Sequence, residues 1–439
     1  MPSLITLLLP VGLALAAILS GALPARRLAW LSVVVYALGA ASVRVALRLP
    51  IGQTADPLWI GALPITSLRI DGGLQVLGAM LALGAAVVSL RVGRASRDRA
   101  AAFVALTGAV AIIVTAVPLL RLAGWPPALA AAIAIGSGLG IIGGVIVVIA
   151  GRLAMAGRRD RPREQELQPA HSGRWWGFIV AAGAVAAIAA PHLDLVIGGA
   201  IAAAIAAHLL SRRAGAGGIP FFPAVATGAL AFAGYYLHVI AGPAGVSLSA
   251  LPDAPLSNAA QALLVPALAV GAAGYFGIWP LAALTPGAWL APIGVALLLR
   301  VGAESLPLGI EGWRTVAIPI GVLAAWAAAL GRRPLALAAA GAWMACFAST
   351  GAGAENSGPA GAWLLALVPV IGVRIEGGMP GRARGALSPL QAAVVAIAGV
   401  LGATLALDAL LRAEVVYAVL AAAAAAAAIS AVYISPVHT

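Results

Sequence analysis

The sequence of 439 residues contains no lysine, so all 26 of its basic residues are arginine. That absence excludes every chemistry built on a titratable amine, from Schiff bases to lysine proton relays, because an arginine stays charged. Charge of either sign is scarce: 9% of residues are charged and 14 are acidic, whereas soluble domains carry about a quarter. Cysteine is nearly absent too. The single Cys346 excludes a disulfide framework and any multi-cysteine metal or iron–sulfur site. No phosphate-binding glycine loop, metal-binding His/Glu pair or Ser/His/Asp arrangement stands out, and IGSGLGIIGGV lies inside an apolar run, where close helix packing explains its glycines better than phosphate does. Neither a catalytic centre nor a protein-held cofactor or metal is expected.

What the chain has instead is apolar length. It is 62% hydrophobic, with a mean hydropathy of +1.05, and runs of about 20 apolar residues, enough to span a bilayer as helix, fill nearly all of it. The ten-residue alternation of a membrane barrel is missing, so helices must satisfy the backbone. The expected fold class is all-α: a polytopic transmembrane bundle of about fourteen helices, some of them broken. Candidate spans fall at 4–22, 28–48, 73–92, 101–122, 127–151, 175–191, 194–211, 220–242, 258–278, 281–300, 313–331, 334–350, 360–373, 387–408 and 414–434. The first has no basic residue ahead of it and no clear cleavage site, so it reads as a retained helix.

A formal charge of +12 invites a nucleic-acid reading, but the arginines sit singly or in small clusters between apolar runs, as topology signals do. With the N-terminus outside, Arg26/Arg27, Arg91–Arg99, Arg152–Arg174, Arg212/Arg213, Arg332/Arg333 and Arg374–Arg384 fall on one side, which the positive-inside rule makes cytoplasmic. The expected location is therefore a bacterial-type inner membrane, with lipid and no nucleic acid as partner. Gly157 to Arg174 is a charged cytoplasmic linker dividing N-terminal membrane helices (1–156) from a C-terminal bundle (175–439). Arg48 to Asp71, with three prolines, reads as an extended or hairpin-like outer excursion.

Ionisable residues inside a bilayer are costly and so mark function by default. His208 in IAAHLLSRR and His238 in GYYLHVIAGP lie near span ends and could relay protons, or be hydrogen-bonded interfacial histidines. His192 and Asp194 flank an outer turn where exposure to water explains them. Arg300 and Glu304 are four apart, as are Asp408 and Arg412, so each pair shares a face if its helix continues. Either pair could be a station on a polar axis or an interfacial ion pair.

Gly274 to Arg300, GYFGIWPLAALTPGAWLAPIGVALLLR, resembles the broken-helix region of the antiporter-like membrane subunits of respiratory complex I and related membrane hydrogenases. Trp279, Pro280 and Pro286 carry the proline spacing of that region. Asp71-Gly72 matches the family's outer loop before its third helix, and Ala348-Ser349-Thr350 fits its Ala-Tyr-Ser-Thr element. The resemblance covers Leu63 to Thr350. It implies a membrane subunit that carries no redox centre, sits among other membrane subunits and is served by a redox arm on the cytoplasmic side, in an oxidoreductase of the NADH–quinone type. The departures matter as much. Tyr275 stands where the family's broken-helix lysine would fall, and the glutamate of the fifth helix is missing. What remains for a proton path is His208, His238, Tyr275, Arg300 and Glu304, and the missing charges point to reduced or lost pumping. The competing readings are a stand-alone secondary transporter of a small ion or solute, and a lipid-linked transferase, for which only Asp56, Asp71 and Asp253 offer outer carboxylates.

Overall fold

The computed structural model describes residues 12–13, 25–46, 58–60, 63–66, 72–92, scattered positions between 107 and 132, 174–213, 221–241, 247–254, 256–278, 290–331, 333–351, 353–375 and 389–434. Over these the chain is helical apart from one small hairpin. The helices are α1 (Ala25–Ala46), α2 (Gly72–Val92), α3 (Arg174–Ala189), α4 (Leu193–Arg213), α5 (Phe221–Ala241), α6 (Asn258–Phe276), α7 (Ala291–Ala296, continuing as a π-helix over Leu297–Ala303), α8 (Pro307–Leu330), α9 (Pro334–Ala348), α10 (Ser357–Ile375), α11 (Pro389–Ala413) and α12 (Val415–Ile434). The expected excursion after α1 holds the hairpin, β1 (Leu58–Ile60) antiparallel to β2 (Leu63–Thr66). Nearly all of the spans at 4–22 and 127–151 and of the 157–174 linker lies outside the described residues.

The chain is a membrane helix bundle. Among the described residues, four helices are long and apolar enough to cross a bilayer on their own measure, and shorter apolar helices accompany them. The elements pack largely as sequence neighbours, α1 with α2, α3 with α4, and the run α8–α9–α10–α11 likewise. Where the connection is a few residues long, as between α3 and α4, α7 and α8, α8 and α9, and α11 and α12, successive helices run antiparallel. Glycine sets the tightest contact. A Cβ on Gly199 would lie 2.8 Å from the Gly183 carbonyl oxygen, and one on Gly183 would lie 2.5 Å from that of Gly199, so α3 and α4 meet backbone to backbone as small-residue crossings in membranes do.

Termination signals are local. Ser257 caps α6 by accepting from the Ala260 amide at 3.2 Å, and Gly277, at φ 62°, closes it in the left-handed conformation. The helix thus stops where the broken-helix reading places a break, and the next described helix begins at Ala291. Trp279, Pro280 and Pro286 themselves lie outside the described residues.

Two starts and stops differ from the hydropathy reading. Helix α8 begins at Pro307, six residues ahead of the expected span, because proline is favoured in the first turn and Glu311 and Arg314 ride on the helix rather than precede it. Helix α11 runs on past Asp408, where its expected span ends, to Ala413, with Arg412 in its last turn.

The alternation sorts charge. Every acidic residue among the described ones, Asp194, Asp253, Glu304, Glu311, Glu355, Asp408 and Glu414, lies toward one end of the bundle together with Arg300, Arg314 and Arg412, whereas Arg174, Arg212, Arg213, Arg333 and Arg374 lie at the other with no described carboxylate.

Candidate functional site: a central arginine and two interhelical locks

Helix α7 is the centre of the bundle. Leu290 to Gly302 are all buried, with α3, α6, α8, α9 and α10 around them. A helix apolar on every side has no face to give to lipid or water, so it ends up inside. Its last stretch widens to π geometry, with the Glu304 amide bonded five residues back to the Leu299 carbonyl at 3.0 Å. Such bulges are costly and occur often at functional sites.

Arg300 sits in that π turn, 1% exposed. Its Nη1 donates to the carbonyl oxygen of Ile188, in the last turn of α3. Carbonyls there lack helical partners, and a cation at a helix C-terminus is also favoured by the macrodipole. Arg300 therefore caps α3 from across the bundle. Ser305 Oγ lies 3.4 Å from the Arg300 carbonyl, which it can serve as donor. Glu304, expected on the same face as Arg300, is the exposed C-terminal cap of the π turn while Arg300 is buried.

Tyr275, in the position where the family resemblance expects lysine, is also buried. Its hydroxyl donates to the Ala200 carbonyl at 2.7 Å, tying α6 to α4. Replacing Tyr275 by phenylalanine should cost about 1 kcal/mol, the usual net worth of one such bond, because the Ala200 carbonyl lies within helix α4 and can keep its helical partner. A melting temperature in detergent, compared with the parent, checks this.

The two histidines are at opposite ends of neighbouring helices. His208 is half-buried near the arginine-bearing end of α4, fourteen residues and so about 21 Å along the helix from Asp194. His238, in the last turn of α5, lies with Nδ1 3.4 Å from Asp194 Oδ1 in the first turn of α4. They are not brought together. Next to Asp194, in the turn between α3 and α4, His192 pairs with Ser247 as an isolated bridge, and Leu248 donates to the Pro191 carbonyl at 2.9 Å. This folds the short segment before α6 over the turn.

Burial pulls His192 below its ordinary pKa of 6.5, with the Asp194 carboxylate opposing the shift. The unfolded chain then binds the extra proton first, so the stabilisation is complete above pH 6.5 and drains away as the pH falls below it. Melting in detergent at pH 7.5 and pH 5.5 should show a larger acid-side drop for the parent than for His192→Asn.

The remaining pair behaves as the spacing predicts. Arg412 Nε lies 3.1 Å from both carboxylate oxygens of Asp408, with the side chains 51% and 43% exposed. An exposed pair of this kind contributes little and marks the end of α11, not a route.

Sequence reasoning missed several side chains that bind helices together. Gln261 Oε1 accepts from the buried Gly309 amide at 3.2 Å. Trp313 Nε1 donates to the Ala262 carbonyl and Trp343 Nε1 to the Ala317 carbonyl, each at 2.8 Å. A lone glutamine in an apolar span was the available signal, since a buried amide needs partners. The Asp194–His238 contact, 44 residues apart in the chain, had none. Polar groups within the spans are thus spent largely on carbonyls of neighbouring helices.

No family model matches the sequence, and no curated protein does. Solved structures do. A chain of the respiratory complex I from Thermus thermophilus with bound NADH is similar with a TM-score of 0.57 and 17% identity, over 98% of this chain and 88% of that one. A chain of the membrane-bound sulfane sulfur reductase, an archaeal respiratory membrane complex, is similar with a TM-score of 0.51 and 13% identity, over 98% and 86%. At such identities the likeness is one of fold. The chain is a multi-pass membrane helix bundle that shares its fold with chains of two respiratory membrane complexes, which is the fold the sequence resemblance implied.

Proposed function

We propose that this protein is a divergent antiporter-like membrane subunit of a complex I-type or membrane hydrogenase-type redox assembly, in which the helix scaffold is kept and pumping is reduced or lost. The observation that carries the reading is the contrast between a fold shared over 98% of the chain and the fate of Tyr275. Where the resemblance expects a lysine able to exchange protons, a buried phenol is committed to the Ala200 carbonyl, and the chain has no lysine to place elsewhere. Arg300 is an equally poor exchanger, because a guanidinium does not give up its proton. The role left is to occupy a place in a membrane arm, with the N-terminus outside and a redox arm docked on the arginine-bearing, cytoplasmic side.

The test is purification of the tagged chain from its native host in mild detergent, with mass spectrometry of what co-migrates. Redox subunits of the quinone-reductase or hydrogenase type are expected in stoichiometric amount. A homogeneous lone protein sinks the reading and promotes a stand-alone transporter. Reconstitution of the intact assembly, with proton uptake followed by a pH-sensitive dye, should give a proton yield that does not change with Tyr275→Phe.

A further inference from the structure

Between α4 and α5 a slot of about 390 Å³ opens on the flank of the bundle, walled by Ile197, Gly198, Ile201, Ala231 and Gly234. Its mouth is at the acidic end, where Asp194 and His238 stand, with Tyr235 beside them 73% exposed. The volume is that of a small-ligand pocket. A volume of that size with apolar walls has room for a single acyl chain. The mouth lies at the termini of two membrane helices, the depth of lipid headgroups, where tyrosine is also at home.

The polar pair at the mouth is not closed on itself. Asp194 and His238 are 3.4 Å apart, and their side chains are 36% and 48% exposed, so both have atoms to spare. The lining of the slot holds the Asp194 carboxylate and no arginine, which favours a cationic group and disfavours an anionic lipid.

We propose that the α4–α5 slot seats one phospholipid whose headgroup bears a primary ammonium, as phosphatidylethanolamine does. The Asp194 carboxylate takes the ammonium, which has three protons to donate, His238 donates to the phosphate through its ring nitrogen, and one acyl chain lies along Gly198 and Ala231. A quaternary ammonium has the same charge and no N–H, so choline lipids lose the hydrogen bond and keep only the weaker attraction. This seat does not depend on the subunit reading, and a lone chain would have it too.

The test is native mass spectrometry of the full chain released from mixed micelles containing equal phosphatidylethanolamine and phosphatidylcholine. Retention of the ethanolamine lipid is expected to be about tenfold higher, the factor that corresponds to one charge-assisted hydrogen bond. Asp194→Asn should level the two lipids. Gly198→Phe should abolish retention of both without disturbing the fold, because a Cβ at Gly198 meets nothing within 4 Å and the ring can extend into the slot. Equal retention of the two lipids by the parent, preference for phosphatidylglycerol, or undiminished binding to Gly198→Phe would each overturn the proposal. So would a photo-crosslinker at position 198 that captures a protein chain in native membranes instead of lipid, since the slot would then be an interface.

Discussion

Gly199→Leu is expected to leave little folded protein in detergent, with a loss of more than about 3 kcal/mol. A Cβ at this position would come within 2.6 Å of the Ala186 Cβ and 2.8 Å of the Gly183 carbonyl oxygen. Neither obstacle is a flexible tip that can swing away; one belongs to a helix backbone and the other is fixed to it. The only relief is to part α3 from α4. That displaces Ile188, whose carbonyl Arg300 caps, and Ala200, to which Tyr275 is bound, so the damage spreads to α6 and α7. Gly228→Leu is the control, because nothing lies within 4 Å of a Cβ there. Thermal unfolding of the two variants side by side should show a wide gap. Matching stabilities would mean that the α3–α4 crossing is not as close as described.

The second large effect concerns Arg300. Arg300→Ala empties the space of a long side chain in the most enclosed helix of the bundle and strands the Ile188 carbonyl. Cavity formation and the orphaned acceptor together should cost about 3–5 kcal/mol. Removing a buried charge returns some of this, which is why a second variant is needed. Arg300→Met fills most of the volume without the charge, and it should retain a loss of about 1–3 kcal/mol, that of the uncapped carbonyl. The two together separate packing from capping. If Arg300→Met instead melts with or above the parent, the guanidinium is a burden on stability that the chain carries for some other purpose. The reading of Arg300 as a cap would then give way to one in which its charge serves ion movement.

The spans were legible because hydropathy reports directly on what lipid can accept, and the described helices fall within a few residues of the apolar runs except where charge rides on a helix end. Hydropathy stops at the first charged residue, whereas the backbone of α8 and α11 goes on hydrogen bonding through Glu311 and Asp408. The site was less legible. Arg300 and Glu304 were legible as neighbours four apart on an α-helix, but the π turn over Leu297–Ala303 changes the period there, and periodicity alone gives no sign of it. Nor does a helix that is apolar on every side reveal which neighbour its one polar residue will meet. The acceptors for Tyr275 and Arg300 are backbone carbonyls, present at every residue and so invisible in sequence. What composition did show is the missing lysine.

The sorting of charge along the bundle has an electrical consequence. In a bilayer held at 100 mV, negative on the side of Arg174, Arg212, Arg213, Arg333 and Arg374, inverting the chain would drive each of those charges against the field at about 2.3 kcal/mol apiece. The carboxylates at the far end would be driven against it as well, and Arg300, Arg314 and Arg412 at that end would offset part of their share. A voltage of that sign therefore favours this orientation of the chain over its inverse.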